Sequence, residues 1–236
     1  MLTLELDIVP DLLDKIKKDF NKEMNGSEKL KKILKKIDNG DISYSVVNDY
    51  AVELGELLAK VFGKNITLDV LPDGRMYYNI AERILNETLS NNHYLVSSMA
   101  AEIQTELNKQ AGMGIKGIQP TLKQDRIDGL INRISSEELF EEIQWILNEP
   151  IVIFSQSIVD DTIKENAEFH VKSGLYPTVT RTAVGRACDW CKSIAGVYKY
   201  PNVPDDVYKR HSNCRCTVEY NPTDSKRVNV WTKERR

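Results

Sequence analysis

Apolar positions recur at helical spacing through most of this chain and alternate with polar ones near its end. Leu12, Ile16, Phe20 and Met24 stand four apart, which predicts a helix from Asp11 to Met24 with one apolar stripe. Ser27 offers an N-cap to the next, where Leu30, Ile33, Leu34 and Ile37 follow i, i+3, i+4, i+7 and Asn39-Gly40 ends the pattern. A third helix is expected from about Ser43 to Phe62, stopped by Gly63. Residues 66–71 read as a short strand or an extended link, closed by the turn Pro72-Asp73-Gly74. From Met76 to Ala111 no proline or glycine interrupts a helical pattern with Ile84, Met99, Ile103 and Leu107 on its apolar side. That length predicts a spine helix or two nearly continuous ones.

Two further helices are expected: Lys123 to Ile134, then one opened by the capping box Ser135-Ser136-Glu137-Glu138 and stopped before Pro150. A last long helix spans about Phe154 to Lys172 and ends at Gly174, with Ser157, Asp160, Asp161 and Glu165 on a solvated face. Gly112, Gly114 and Gly117 have the spacing of a dinucleotide loop, which requires a strand before it and a helix after. Here a helix precedes and Gln119-Pro120 follows, so the segment reads as a flexible loop. Beyond Gly174 the segments Tyr176–Val184, Val197–Tyr200 and Cys216–Tyr220 are β-branched or alternating, hence strand candidates. The expected fold is mostly α: a multi-helix N-terminal body with a small C-terminal α+β zinc-binding module.

Composition and charge sharpen that division. The chain has 236 residues, 41% hydrophobic and 28% charged, enough for one large or two modest domains. Residues 176–236 carry 12 Lys and Arg against 6 Asp and Glu, whereas the remainder is acidic. A basic end on an acidic body suggests that the end meets something negative, nucleic acid or an acidic protein surface. Arg181, Arg186, Lys192, Lys199, Lys209, Arg210 and Arg215 are the candidates for contact with nucleic-acid phosphates. No run approaches the ~20 apolar residues of a membrane span, and no apolar signal-peptide core is visible, so a reduced cytosolic setting is expected.

All four cysteines and one of three histidines cluster near the C-terminus as Cys188-x-x-Cys191 and His211-x-x-Cys214-x-Cys216. Two short chelating turns joined by one loop are what a tetrahedral zinc site needs, and thiolate and imidazole suit that ion. Cys188, Cys191 and His211 are three ligands; Cys214 or Cys216 supplies the fourth. A closed donor set favours a structural metal over a catalytic one, which keeps a position open. His93 and His170 read as ordinary helix residues. Walker loops, serine–histidine–acid arrangements and paired-carboxylate motifs are absent from the sequence.

The run Thr180–Cys191, a central Gly196-Val-Tyr, Asp205-Asp-Val-Tyr, the His211–Cys216 motif and the ending Asn229-Val-Trp231-Thr-Lys together resemble the C-terminal module of tailed-phage minor head proteins of the Mu F type. In that family a Cys-x-x-Cys is followed by His-x-x-Cys-Arg-Cys and preceded by a helix, here Asp161–His170. Proline often stands before the second cysteine or after the histidine, where this chain has Trp190 and Ser212. The resemblance implies a module over 151–236 behind a helical body over 1–150. It also implies a non-enzymatic minor capsid protein, found in the virion and in the host cytoplasm during assembly. Its implied partners are the portal, scaffold or major capsid protein, and DNA through non-specific phosphate contacts. The alternative is a phage-encoded nuclease or toxin, with Tyr208, Arg210 and His211 as its site. That alternative conflicts with His211 as a ligand, because a nitrogen holding zinc is no general base. A zinc-finger regulator would need a recognition helix beside the metal, where turn- and strand-like residues stand instead.

Overall fold

The computed structural model describes residues 7–222 and is mostly helical, with a small sheet near the C-terminal end. Helix α1 (Val9–Gly26) carries Pro10 in its first turn, where a missing N–H leaves no bond unmade. Ser27 caps α2 (Glu28–Asp38): its Oγ accepts the Leu30 N–H at 3.0 Å and donates to Glu53 at 2.6 Å. Helix α3 (Tyr44–Asn65) runs through Gly63, past its predicted end, because Leu58, Val61 and Phe62 bury into the core on the same turns. The spine is one continuous helix, α4 (Tyr78–Gln110), and α5 (Gln124–Ile134) lies close to its predicted limits.

Three expectations fail locally. Residues 66–71 form turns instead of a strand or extended link. The N–H groups of Val70 and Leu71 both reach the Thr67 carbonyl, and a 3-10 turn, Pro72–Gly74, follows. With no strand to pair against, local turns satisfy the backbone while Ile66 and Leu71 join the helical core. Ser135 opens no helix. It closes α5, its Oγ donating to the Ile131 carbonyl at 2.8 Å, and only the short α6 (Phe140–Ile143) and a 3-10 turn, Gln144–Leu147, follow. Pro150 starts a helix where it was expected to stop one: α7 (Glu149–Lys172) begins there, with the proline in its first turn.

Helices α3, α4 and α7 form the centre of the core. Gly55 lets α3 and α7 meet closely, since a Cβ there would sit 2.7 Å from the Val152 Cα. Gly117 packs against α4, where a Cβ would stand 2.2 Å from the Ala101 carbonyl oxygen, and its N–H donates to Thr105. Close packing thus fixes the end of the glycine-rich segment at Gly117, while Gly112 and Gly114 face open space. Strands β1 (Thr178–Thr182), β2 (Gly196–Lys199) and β3 (Thr217–Asn221) form an antiparallel sheet in the order β2-β1-β3. Val179 stands opposite both Tyr198 and Tyr220. Val179, Val218 and Tyr220 turn inward and extend the helical core. The sheet is also tied to the start of α3, whose Tyr44 N–H donates to Glu219 at 3.2 Å. Among the described residues no helix is long and apolar enough to cross a membrane.

Candidate metal centre

Two turns bring the five predicted donors together. Cys188 caps the short helix α8 (Asp189–Ser193), its Sγ accepting the Cys191 N–H at 3.4 Å, so one helical turn sets both sulfurs on the same side. The second turn closes through the Cys214 N–H to the His211 carbonyl at 3.1 Å, with Asn213 at a left-handed φ of 59°. All four thiols are free; Cys191, Cys214 and Cys216 are buried and Cys188 is exposed. Cys188, Cys191 and His211 form one group of converging ligand atoms, and Cys191, Cys214 and Cys216 a second. The cluster can hold a metal ion, with Cys191 common to both groups.

The spacings around Cys191 suit a tetrahedral ion. Metal–sulfur bonds of about 2.3 Å give sulfur–sulfur edges of about 3.8 Å in a tetrahedron, and Cys191 and Cys214 stand 3.8 Å apart. The His211 Nε2 lies 3.3 Å from the Cys188 sulfur and 3.0 Å from that of Cys191. Its Nδ1 meets the Ser212 carbonyl at 2.8 Å, and because a carbonyl only accepts, that nitrogen carries the proton and Nε2 keeps its lone pair for a metal. Burial, then contacts with Cys216 and Cys214, push the Cys191 thiol up to about 12. Burial also raises Cys216, but the Val184 N–H, the neighbouring thiols and Arg181 outweigh it and hold that thiol below its usual range. Crowded thiols of this kind favour replacing their protons with a cation.

Helix α7 holds the second turn in place. Asp160, placed on a solvated face by its sequence context, is 1% exposed. Its carboxylate takes the Arg210 fork through Nε and Nη2, the latter at 2.8 Å, and Arg210 Nη1 donates to the Cys216 carbonyl at 2.8 Å. Burial pushes the Asp160 carboxyl up against the opposing pull of Arg210, and the carboxylate in turn holds Arg210 above its ordinary value. With its amide oriented to satisfy both neighbours, Gln156 donates to the Cys214 carbonyl at 2.9 Å and accepts from Arg210 at 3.0 Å. At the first turn of α7, Glu149 accepts the Asn213 N–H at 2.9 Å and Arg215 Nη1 at 2.7 Å. Glu149 and Gln156 were not singled out in the sequence and Asp160 was read as solvated; their steps of seven and four along one helix were the available signal.

The predicted phosphate-contacting set shrinks accordingly. Arg181 is 1% exposed on the inner face of β1, and the Arg210 side chain is 2% exposed against Asp160, so neither can reach a phosphate. Arg186 and Lys199 are exposed without an ion-pair partner among the described residues. Lys192, Lys209 and Arg215 pair with Asp189, Asp206 and Glu149. The residues of the proposed nuclease trio line one cleft but are each held elsewhere: Tyr208 meets the Tyr200 hydroxyl at 2.8 Å, Arg210 grips Asp160 and His211 faces the thiols. His170 is fully buried, its Nδ1 bonded to the Tyr220 hydroxyl, and His93 is half-buried in α4. Both are remote from the cysteines, and burial lowers the pKa of each. The motif residues Asn229 and Trp231 lie outside the described residues. No protein-family description, curated protein or solved structure matches this chain.

Proposed function

We propose that this protein is a structural minor capsid protein of a tailed phage, acting in head assembly near the portal, with a zinc ion closing its C-terminal module. The observation that carries the reading is the enclosed, sulfur-rich donor cluster, set in a motif that resembles that of minor head proteins. Sulfur and imidazole donors select zinc over harder cations. The 3.8 Å edge between Cys191 and Cys214 favours Cys214 as the ligand beside Cys188, Cys191 and His211. Zinc there links two loops, which is a folding role. The residues around it do the same: Asp160, Gln156 and Glu149 anchor the second turn to α7. The engagement of Tyr208, Arg210 and His211 with Tyr200, Asp160 and the thiols favours a scaffold over a nuclease. Arg186 and Lys199 leave a modest basic surface for phosphates or an acidic partner such as the portal or scaffold.

Two measurements test this. Protein purified under reducing conditions should carry about one zinc per chain by elemental analysis, as for a single four-ligand site. Purified phage particles should contain the chain at low copy by mass spectrometry. Its absence from particles, with the chain present in the lysate, overturns the capsid reading; a folded, metal-free module overturns the zinc reading.

A further inference from the structure

We infer that Arg181 is the buried counter-ion of a net-anionic metal–thiolate centre, which it contacts through Cys214. The inference rests on the zinc centre proposed above and is independent of the virion role.

Strand alternation puts Arg181 inside. It stands two residues from Val179 on β1 and opposite Val218 on β3, so its side chain shares the inner face with both. There it is 1% exposed, the largest fully buried side chain among the described residues. One guanidinium nitrogen donates to the Val207 carbonyl, and Nη2 points at the Cys214 sulfur, 3.7 Å away. The group also lies over the Trp190 ring, 5.7 Å from its centroid. Trp190 is the residue between Asp189 and Cys191, so the arginine touches both chelating turns.

Charge decides what this arginine is for. A guanidinium stays protonated in a protein, and a buried charge without a counter-charge is strongly unfavourable. No carboxylate among the described residues lies within ion-pair reach of Arg181. The nearby Asp160 is already held by two nitrogens of Arg210. Two buried guanidiniums therefore face one carboxylate, leaving one positive charge in excess. A divalent ion with three thiolates and one neutral imidazole carries one negative charge, which matches that excess. Four thiolates would carry two, and two thiolates with two imidazoles none. The match picks out three thiolates and one histidine, and the Arg181 contact places Cys214 in that set beside Cys188, Cys191 and His211, with Cys216 outside it.

The test uses the full chain with zinc alone as the probe, in competition with a chromophoric chelator, and urea denaturation of zinc-loaded and zinc-free protein. Arg181→Met keeps the length and apolar contact but removes the charge; Arg181→Lys keeps the charge. Arg181→Met should bind zinc about 10–100-fold more weakly, the range for partners of metal ligands, and Arg181→Lys should recover most of that loss. The Met variant should lose less stability relative to wild type without zinc than with it, since without the anionic centre Arg181 keeps only the Val207 carbonyl and the Trp190 ring. Unchanged zinc affinity in Arg181→Met overturns the inference. Equal destabilisation with and without zinc does so too, because packing alone would then explain the residue. If Arg181→Met does not fold, a Lys variant that binds zinc like wild type supports the charge role, and one that also fails overturns it. A wild-type chain that binds no zinc would overturn the site itself, a result separable from each of these.

Discussion

Removing Arg210 alone should damage this protein more than removing it together with its partner. In Arg210→Met the Asp160 carboxylate is left 1% exposed and without its two guanidinium bonds, and the Cys216 carbonyl loses its donor. Breaking one side of a buried ion pair typically costs about 3–5 kcal/mol, because the surviving charge stays buried and unpaired. Against a whole-domain stability of about 5–15 kcal/mol, that is roughly a fifth or more of the total. Asp160→Leu should cost a similar amount by stranding Arg210. The double variant should lose no more than either single one, since apolar side chains can replace a buried pair at little cost. That amounts to a coupling of about 3 kcal/mol, at the upper end for neighbouring residues. Urea denaturation of the zinc-loaded chain, followed by far-ultraviolet circular dichroism and by tryptophan fluorescence, gives the cycle where both probes coincide. Single losses below about 1 kcal/mol, or losses that add in the double variant, would mean a pair wet enough to behave as a surface one, and the reasoning fails.

Cys214→Ser should abolish tight zinc binding, whereas Cys216→Ser should keep about one zinc per chain as a four-ligand site requires; the reverse result in a chelator competition refutes the assignment. His170, buried, and His93, half-buried, have lowered pKa values, so as pH falls below the unfolded value of about 6.5 the unfolded chain takes up protons first and stability declines toward the lower folded values. Replacing His170 by Phe should flatten part of that decline, and a wild-type-minus-variant difference that does not change between pH 7 and pH 5 counts against the idea. Arg186→Glu with Lys199→Glu should weaken duplex DNA binding and make it less salt-dependent, by roughly one unit of slope for each phosphate no longer neutralised. No wild-type binding at low salt, or a strong preference for one sequence, removes DNA from the set of partners.

Where one periodic stripe met one clear stop, the pattern located helices well. Leu12, Ile16 and Phe20 bury as their spacing requires, and Ser27 caps α2. The misreadings share a cause: each local signal had two meanings. Ser135 is a good N-cap residue and an equally good C-terminal back-bonder, and the burial of Ile131 and Ile134 on α5 decided between them. Pro150 can follow a helix or sit in the first turn of one, and burial of Ile151 and Val152 against the core favours the second. Residues 66–71 are apolar enough for a strand, but a strand needs a partner, and the sheet lies elsewhere in the fold.

The candidate donors were legible because cysteine pairs at chelating spacing are rare and specific; their supports were not, because charge was read by sign instead of by face. Alternation along Thr178–Thr182 already placed Arg181 beside Val179 on the inner face. Helix α7 buries most of its circumference; Ser157, Asp161 and Glu165 lie on the remaining, partly exposed face, and Asp160 falls just outside it. The same fact makes a prediction about separability. A boundary at residue 150 falls in the first turn of α7, removing Glu149 from its bonds to Asn213 and Arg215 and stripping α7 from α3 and α4. A fragment of residues 151–236 would expose Ile151, Phe154, Ile158 and Ile163, all buried in the full chain, along with the inner sheet residues Val218 and Tyr220. It should therefore aggregate or bind zinc without cooperative unfolding, whereas co-expression with residues 1–150 should restore a soluble, zinc-bound complex. A fragment that is monomeric, binds zinc as tightly as the full chain and unfolds cooperatively would show that the module carries a sufficient core of its own.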